Sequence, residues 1–337
     1  MCIQHAITKA VQHSQSVAAR RNLRSERLSF QSYGTLFYTD GSHYWLLQPV
    51  NATGHDGGHP CLAYEQQLAT FSVQVTWRFG SWYQYARVRI FFASPVFSSS
   101  TKCWPARRSL LAEYNLSPLH EGTLTPLASN ETINLYNIVP GLLIGVSKIT
   151  NEQVFASVNF HTMRLYERCM LGSSQRPYHA MSMPTANRLY MTPYHCVVSV
   201  YAQGRTVFET RFNNRFITPD EVRRGWFRCH CIRTNNPNNH SFISLPLGLT
   251  FNNELFPDCC LITACIGNDD GQVLLACAEY SHLTLSERLP NGSNNLILKA
   301  LASDAEVKFE LQHMGEISTV LIITGLSVAV RLGSCLI

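Results

Sequence analysis

Apolar and polar positions alternate with a period of two along most of this chain, most clearly from Pro193 to Ile232. Tyr194–Tyr201 is rich in β-branched and aromatic residues and predicts a strand. Ala202-Gln203-Gly204-Arg205 predicts a tight turn, since glycine takes positive φ without a steric cost. Thr206–Phe212 alternates again and predicts the return strand. After the break at Pro219-Asp220-Glu221, where Pro219–Arg224 predicts a turn of helix, Trp226–Ile232 predicts a third strand.

The same pattern extends in both directions. Gly34–Leu47 predicts a hairpin turning at Asp40-Gly41. Phe71–Phe79 and Tyr83–Phe92 predict a second hairpin around Gly80-Ser81. Ser94–Ser109 reads as loop. Ile133–Val146 and Gln153–Tyr166 read as short strands, with Arg164–Met170 a candidate helical turn. Towards the C-terminus, strands are predicted at Ser241–Leu249, Cys260–Ile266, Gln272–Tyr280, Leu296–Ala302, Glu306–Gln312 and Thr319–Leu332. Gly325 is expected to split the last of these into two strands around a bend. Only Ile3–Leu28 shows helical spacing, through Ile3, Ile7, Ala10, Val11 and Ala18.

The expected fold is therefore mainly β, with two β-rich, sandwich-like domains and a short N-terminal helix. Residues 1–29 form a basic arm or helix and 30–172 a first β-rich domain. Residues 173–187 form a linker rich in Gly, Ser, Pro and Met, and 188–337 a second β-rich domain. At 337 residues two domains fit better than one.

Composition narrows the function classes. Charged residues make up 15% of the chain, against ~25% in an average soluble domain. Polar uncharged faces and broad contact surfaces suit that mixture; disorder does not. The net charge of +5 is concentrated in Arg20, Arg21, Arg24 and Arg27. Such a basic arm has the charge to meet nucleic acid or an acidic membrane surface. The remainder lacks a continuous basic stripe, so nucleic acid ranks below protein as a partner. The N-terminus lacks a secretory h-region, and the apolar run Val320–Val330 is too short to span a bilayer, so no membrane span is expected. The twelve cysteines are then expected to be reduced and mostly buried.

Three groups of residues invite chemistry. Cys229, Cys231, Cys259 and Cys260, with Cys265, offer thiolates for zinc, but the spacing lacks the two intervening residues of a knuckle. In a strand, Cys229 and Cys231 share one face and His230 takes the other, which points to a core role. His55, Asp56 and His59 sit in a Gly-rich loop with acid–base or metal-binding groups. Gly-x-Ser-x-Gly, Gly-x-Gly-x-x-Gly and Walker motifs are absent from the sequence, so no catalytic residue and no cofactor is assigned. Trp77, Arg78, Trp82, Tyr83 and Arg87 interleave aromatics with arginines and form the candidate interaction surface.

The run Cys196–Phe212, with Trp226 and a further strand behind it, resembles a segment of the herpesvirus dUTPase-related proteins. The resemblance implies two fused dUTPase-like β-domains. It also implies a non-enzymatic viral accessory or tegument-type protein of the infected nucleus and cytoplasm, binding host or virion proteins. Gly204-Arg205-Thr206 departs from that family's Gly-Arg-Ser phosphate loop, so dUTP hydrolysis is not implied. Two other readings stand beside it. One is a capsid or minor capsid protein with a jelly-roll-like fold, suggested by the basic arm ahead of β-strands. The other is an enzyme of unrecognised class.

Overall fold

The computed structural model describes residues 44–54, 61–63, 65–69, 71–78, 85–94, 107–122, 124–139, 141–171, 173, 175–177, 190–218, 221–232, 241–269, 273–285, 296–313 and 319–332. The strands in the first half are β1 (Tyr44–Val50), β2 (Cys61–Leu62), β3 (Glu65–Ala69), β4 (Ser72–Arg78), β5 (Arg87–Ser94), β6 (Arg107–Asn115), β7 (Ala128–Ser129), β8 (Ile133–Val139), β9 (Leu142–Ser147) and β10 (Gln153–His161). Those in the second are β11 (Tyr194–Ala202), β12 (Arg205–Arg215), β13 (Val222–Arg223), β14 (Trp226–Ile232), β15 (Ser241–Ser244), β16 (Gly248–Phe251), β17 (Glu254–Pro257), β18 (Cys259–Gly267), β19 (Val273–His282), β20 (Thr284–Leu285), β21 (Leu296–Leu301), β22 (Ala305–His313) and β23 (Val320–Arg331). Among the described residues helix is confined to short segments, chiefly Thr162–Leu171. The protein is mainly β.

The strands build four principal antiparallel sheets. The first runs β2-β1-β5-β6 and the second β3-β4-β10-β9-β8-β7. The third runs β12-β11-β18-β19. The fourth runs β13-β14-β23-β22-β21-β20, with β15 also paired to β23. Alternation dictates how they stack. Val73, Val75 and Trp77 of β4, with Ala156, Val158 and Phe160 of β10, turn one face of the second sheet towards Trp45, Leu47, Val88 and Ile90 of the first. Cys196, Val198 and Val200 of β11, with Ile262 and Ala264 of β18, turn one face of the third towards Phe227, Val307, Phe309 and Val328 of the fourth.

The second and third sheets meet through their remaining faces. Leu135, Leu143 and Phe155 pack there with Tyr201, Leu261, Tyr280 and the β16–β17 hairpin. Phe155 stacks on Phe251 at 5.5 Å, and Phe251 meets Tyr280 edge-on at 5.7 Å. The sheets thus form four layers, with the second and third inside.

Several sequence expectations need correction. Phe71–Phe79 and Tyr83–Phe92 do not form a hairpin. β4 pairs with β3 and β10, while β5 pairs with β1 and β6 in another sheet. Turn-forming residues permit a reversal but do not oblige the flanking strands to pair. Gly325 does not break the last segment; β23 is one 12-residue strand. Its pairing with β22 skips a residue beside Gly325, where the Thr324 hydroxyl donates to the Glu310 carbonyl at 3.1 Å. This bulge keeps Leu321 and Ile323 on the same buried face as Leu326, Val328 and Val330. Val222-Arg223 is strand rather than a turn of helix, pairing with β14 across Arg224-Gly225. The predicted Ser94–Ser109 loop overlaps β6, which begins at Arg107. The arm 1–29, most of the 173–187 linker and the Asp40-Gly41 turn lie outside the described residues.

Candidate functional site

In the Trp226–Ile232 strand the phase of alternation decides which side chains are available. Phe227, Cys229 and Cys231 point into the core between the third and fourth sheets. Trp226, Arg228 and His230 therefore lie on the outer, exposed face. Trp226 is 36% exposed. It pairs across the ladder with Arg223 on one side and Arg331 on the other, giving a row Arg223–Trp226–Arg331 over three strands. The next row carries Arg228, Ala329 and Glu306. Ala329 is buried and small, so it floors a groove of about 590 Å³ whose walls include Trp226, Arg224, Arg228 and Glu306.

Both carboxylates at the groove have partners within the protein. Glu306 accepts from Lys299 Nζ at 2.8 Å and pairs with Arg228 Nη2 at 3.7 Å. Glu221 accepts from the Thr218 backbone N–H at 3.0 Å and the Thr218 hydroxyl at 3.1 Å. Among the described residues, Arg223, Arg224 and Arg331 have no ion-pair partner. An aromatic ring is thereby framed by guanidinium groups that retain their hydrogen-bonding capacity.

A second concentration of polar groups is buried between the inner sheets. Ser72, Gln74 and Thr76 of β4 and Ser157, Asn159 and His161 of β10 face the third sheet, all buried. Thr76 donates to Ser157 at 3.1 Å, and the Ser157 and Tyr280 hydroxyls are hydrogen-bonded to each other at 3.1 Å. Burial, followed by the Arg164 charge, pushes the His161 imidazole down to about 3. At the same seam, burial pushes Glu279 up to about 8; the Gly141 backbone N–H opposes the shift and the Asp304 charge adds to it. These groups are buried by the packing of the layers.

The residues singled out in the sequence do not assemble into one site. Trp77 is fully buried beneath the first sheet and presents nothing to solvent. Arg78, at the end of β4, is exposed. Arg87 is bound to Glu113, which also accepts from Arg89 at 2.8 Å. Burial pushes the Glu113 carboxyl up, but Arg89 and then Arg87 outweigh it and hold it below the usual range. Trp82 and Tyr83 lie outside the described residues, as do His55, Asp56 and His59.

Cys229 and Cys231 are buried with Cys196, Sγ to Sγ distances being 3.8 and 3.9 Å. Cys259 and Cys260 belong to different cores on opposite faces of β18, which prevents them from sharing a metal. Among the described residues no three His, Cys, Asp or Glu side chains are placed to hold a metal ion. No described helix is long and apolar enough to cross a membrane.

Sequence reasoning missed the outer face of the fourth sheet. The signal was present: in Trp226–Ile232 the phase that buries Phe227, Cys229 and Cys231 must expose Trp226. The same phase argument in Ser72–Arg78 sends Trp77 inside with Val73 and Val75.

No family profile matches the chain. It is 28% identical to F-box only protein 15 of Homo sapiens over 174 residues, covering 49% of this chain and 34% of that protein. It is 25% identical to the Bos taurus protein of the same name over 200 residues, covering 56% and 42%. For the Mus musculus protein the identity is 28% over 115 residues, covering 32% and 26%. The chain thus spans about a third of the length of the curated relatives it matches. These relatives overturn the herpesvirus dUTPase resemblance, and with it the viral accessory, tegument and capsid readings. The run that suggested it, Cys196–Phe212, is an ordinary two-residue hairpin turning at Gln203 (φ 51°) and Gly204 (φ 72°). Its residue types are those that any half-buried hairpin favours. The similarity lies instead with F-box only protein 15 of several mammals.

Proposed function

We propose that this chain is a non-enzymatic protein-binding module, and that the outer face of the fourth sheet is its contact surface. The observation that carries the reading is Trp226, exposed in a groove beside Arg223 and Arg224, which have no ion-pair partner among the described residues. Tryptophan and arginine are the side chains most often found to dominate binding at interfaces. Similarity to F-box only protein 15 agrees with a protein partner.

The other chemistry-bearing groups have structural roles that explain them. The Cys259, Cys260 and Cys277 thiols are pushed up by burial, Cys260 and Cys277 lining the apolar core between the third and fourth sheets. Such thiols stay protonated and are poor nucleophiles. The imidazole of His161 is held neutral inside the seam.

The test is a quantitative comparison of proteins retained from cell extract by the tagged chain and by its Trp226→Ala variant. A discrete set retained by the first and lost from the second is the expected result. Identical sets, with both proteins equally folded, would remove the outer face from consideration.

A further inference from the structure

We infer that the Trp226 groove binds an acidic segment of its partner, a short extended stretch of Asp and Glu around an apolar side chain. This rests on the reading that the outer face of the fourth sheet is a protein-contact surface.

Charge complementarity fixes the chemical class. Arg223 and Arg331 flank Trp226 on neighbouring strands, so their stems lie about 5 Å to either side at the Cβ level. Arg224 stands at the turn above them. With Glu221 held by Thr218 and Glu306 held by Lys299, Arg223 and Arg224 line the groove, and Arg331 stands beside Trp226 on the ladder, without a carboxylate partner among the described residues. A carboxylate brought from outside would receive paired N–H bonds from such groups. The ring of Trp226 and the methyl of Ala329 offer the apolar surface between those charges.

The turn supplies an independent observation. Arg224 sits at φ 53° in the two-residue connection between β13 and β14. Of the other described non-glycine residues at positive φ, Asn151, Asn214, Asn252, Asn253 and Asp258 are types that accept this conformation readily, and Gln203 is the remaining one. Arginine gains nothing there from backbone preference, where Asn or Asp would be favoured. Its guanidinium is what the position gains, at the rim of the groove.

A fluorescein-labelled dodecapeptide of Asp and Glu with one central Leu is the probe, read by anisotropy against the full chain. Its Asn/Gln counterpart and a single-stranded oligonucleotide serve as comparators. The acidic peptide is expected to bind, and to weaken as salt rises. Trp226→Ala and the pair Arg223→Glu with Arg331→Glu should each weaken it at least tenfold, with thermal melting unchanged. Arg223→Gln with Arg331→Gln gives a milder loss and guards against misfolding of the charge-reversed protein. No binding, equal binding by the charge-reversed variant, preference for the neutral peptide, or tighter binding of the oligonucleotide would each overturn the acidic class. If Trp226→Ala still loses captured proteins while charge reversal does not, the contact surface stands and only the acidic class falls. If neither variant changes capture, the contact surface fails as well.

Discussion

Glu279 provides a test of the layered packing through its pH dependence. Its carboxyl is 6% exposed at the edge of the third sheet, takes a hydrogen bond from the Gly141 N–H, and has one oxygen without a partner among the described residues. Burial first, then the Asp304 charge, raises it from 4.5 to about 8. The folded protein therefore holds a proton that the unfolded chain has released between those two values. In that window stability must fall as pH rises. At 1.36 kcal/mol per unit, the full difference is about 5 kcal/mol above pH 8, as an upper bound, and vanishes below pH 4.5. Tyr114 and Cys277 nearby are raised by burial and stay protonated throughout, so they do not blur the window. Glu279→Gln keeps an acceptor for Gly141 and cannot ionise. Urea midpoints of both proteins at fixed ionic strength should coincide near pH 4. By pH 9 the variant should be the more stable by several kcal/mol. A difference that does not change with pH, or one favouring the glutamate at pH 9, would show that Glu279 is not buried as described.

Three further perturbations probe other parts of the structure. Trp77→Ala should cost about 3–5 kcal/mol by chemical denaturation, whereas Trp226→Ala should cost under about 1 kcal/mol; equal losses would contradict the assignment of one to core and the other to surface. Gly145→Ala would place a methyl group 2.3 Å from the Phe155 ring, and overpacking of this kind should destabilise by about 1–3 kcal/mol; an unchanged melting temperature would mean that the ring is free to move. Phe251→Ala removes a ring shared by Phe155, Phe256 and Tyr280. It should loosen the seam between the inner sheets and split the single unfolding transition expected of the wild type into two, which calorimetry would resolve.

Local patterning made much of the second half legible. Period-two alternation located β11, β12, β14, β18, β21 and β22, and the Gln203-Gly204 pair marked a real reversal. Alternation also sent Cys229 and Cys231 inside and His230 out. The partner of each strand was not legible, because pairing is decided by contacts distant in sequence. Gly80-Ser81 looked like the tip of a hairpin, yet β4 and β5 belong to different sheets. The bulge at Thr324-Gly325 was missed because a glycine reads alike in a bend and in a bulge. The groove is non-local too: Arg223, Trp226 and Arg331 become neighbours only once β23 lies beside β14.

The polar face of the second sheet has a consequence for how the chain is made. Ser72, Gln74, Thr76, Ser157 and Asn159 are covered only when residues 194–285 have been added. A ribosome at roughly 5–20 residues per second needs several seconds or more for that stretch. During this wait the earlier sheets stand complete on one side and bare on the other. The β4–β10 part of that face, built of hydroxyls and amides, can spend that interval hydrated, which leaves Leu135, Leu143 and Phe155 as its apolar portion. The polar side chains of this layer boundary thus limit the apolar area that the nascent protein exposes until its second half arrives.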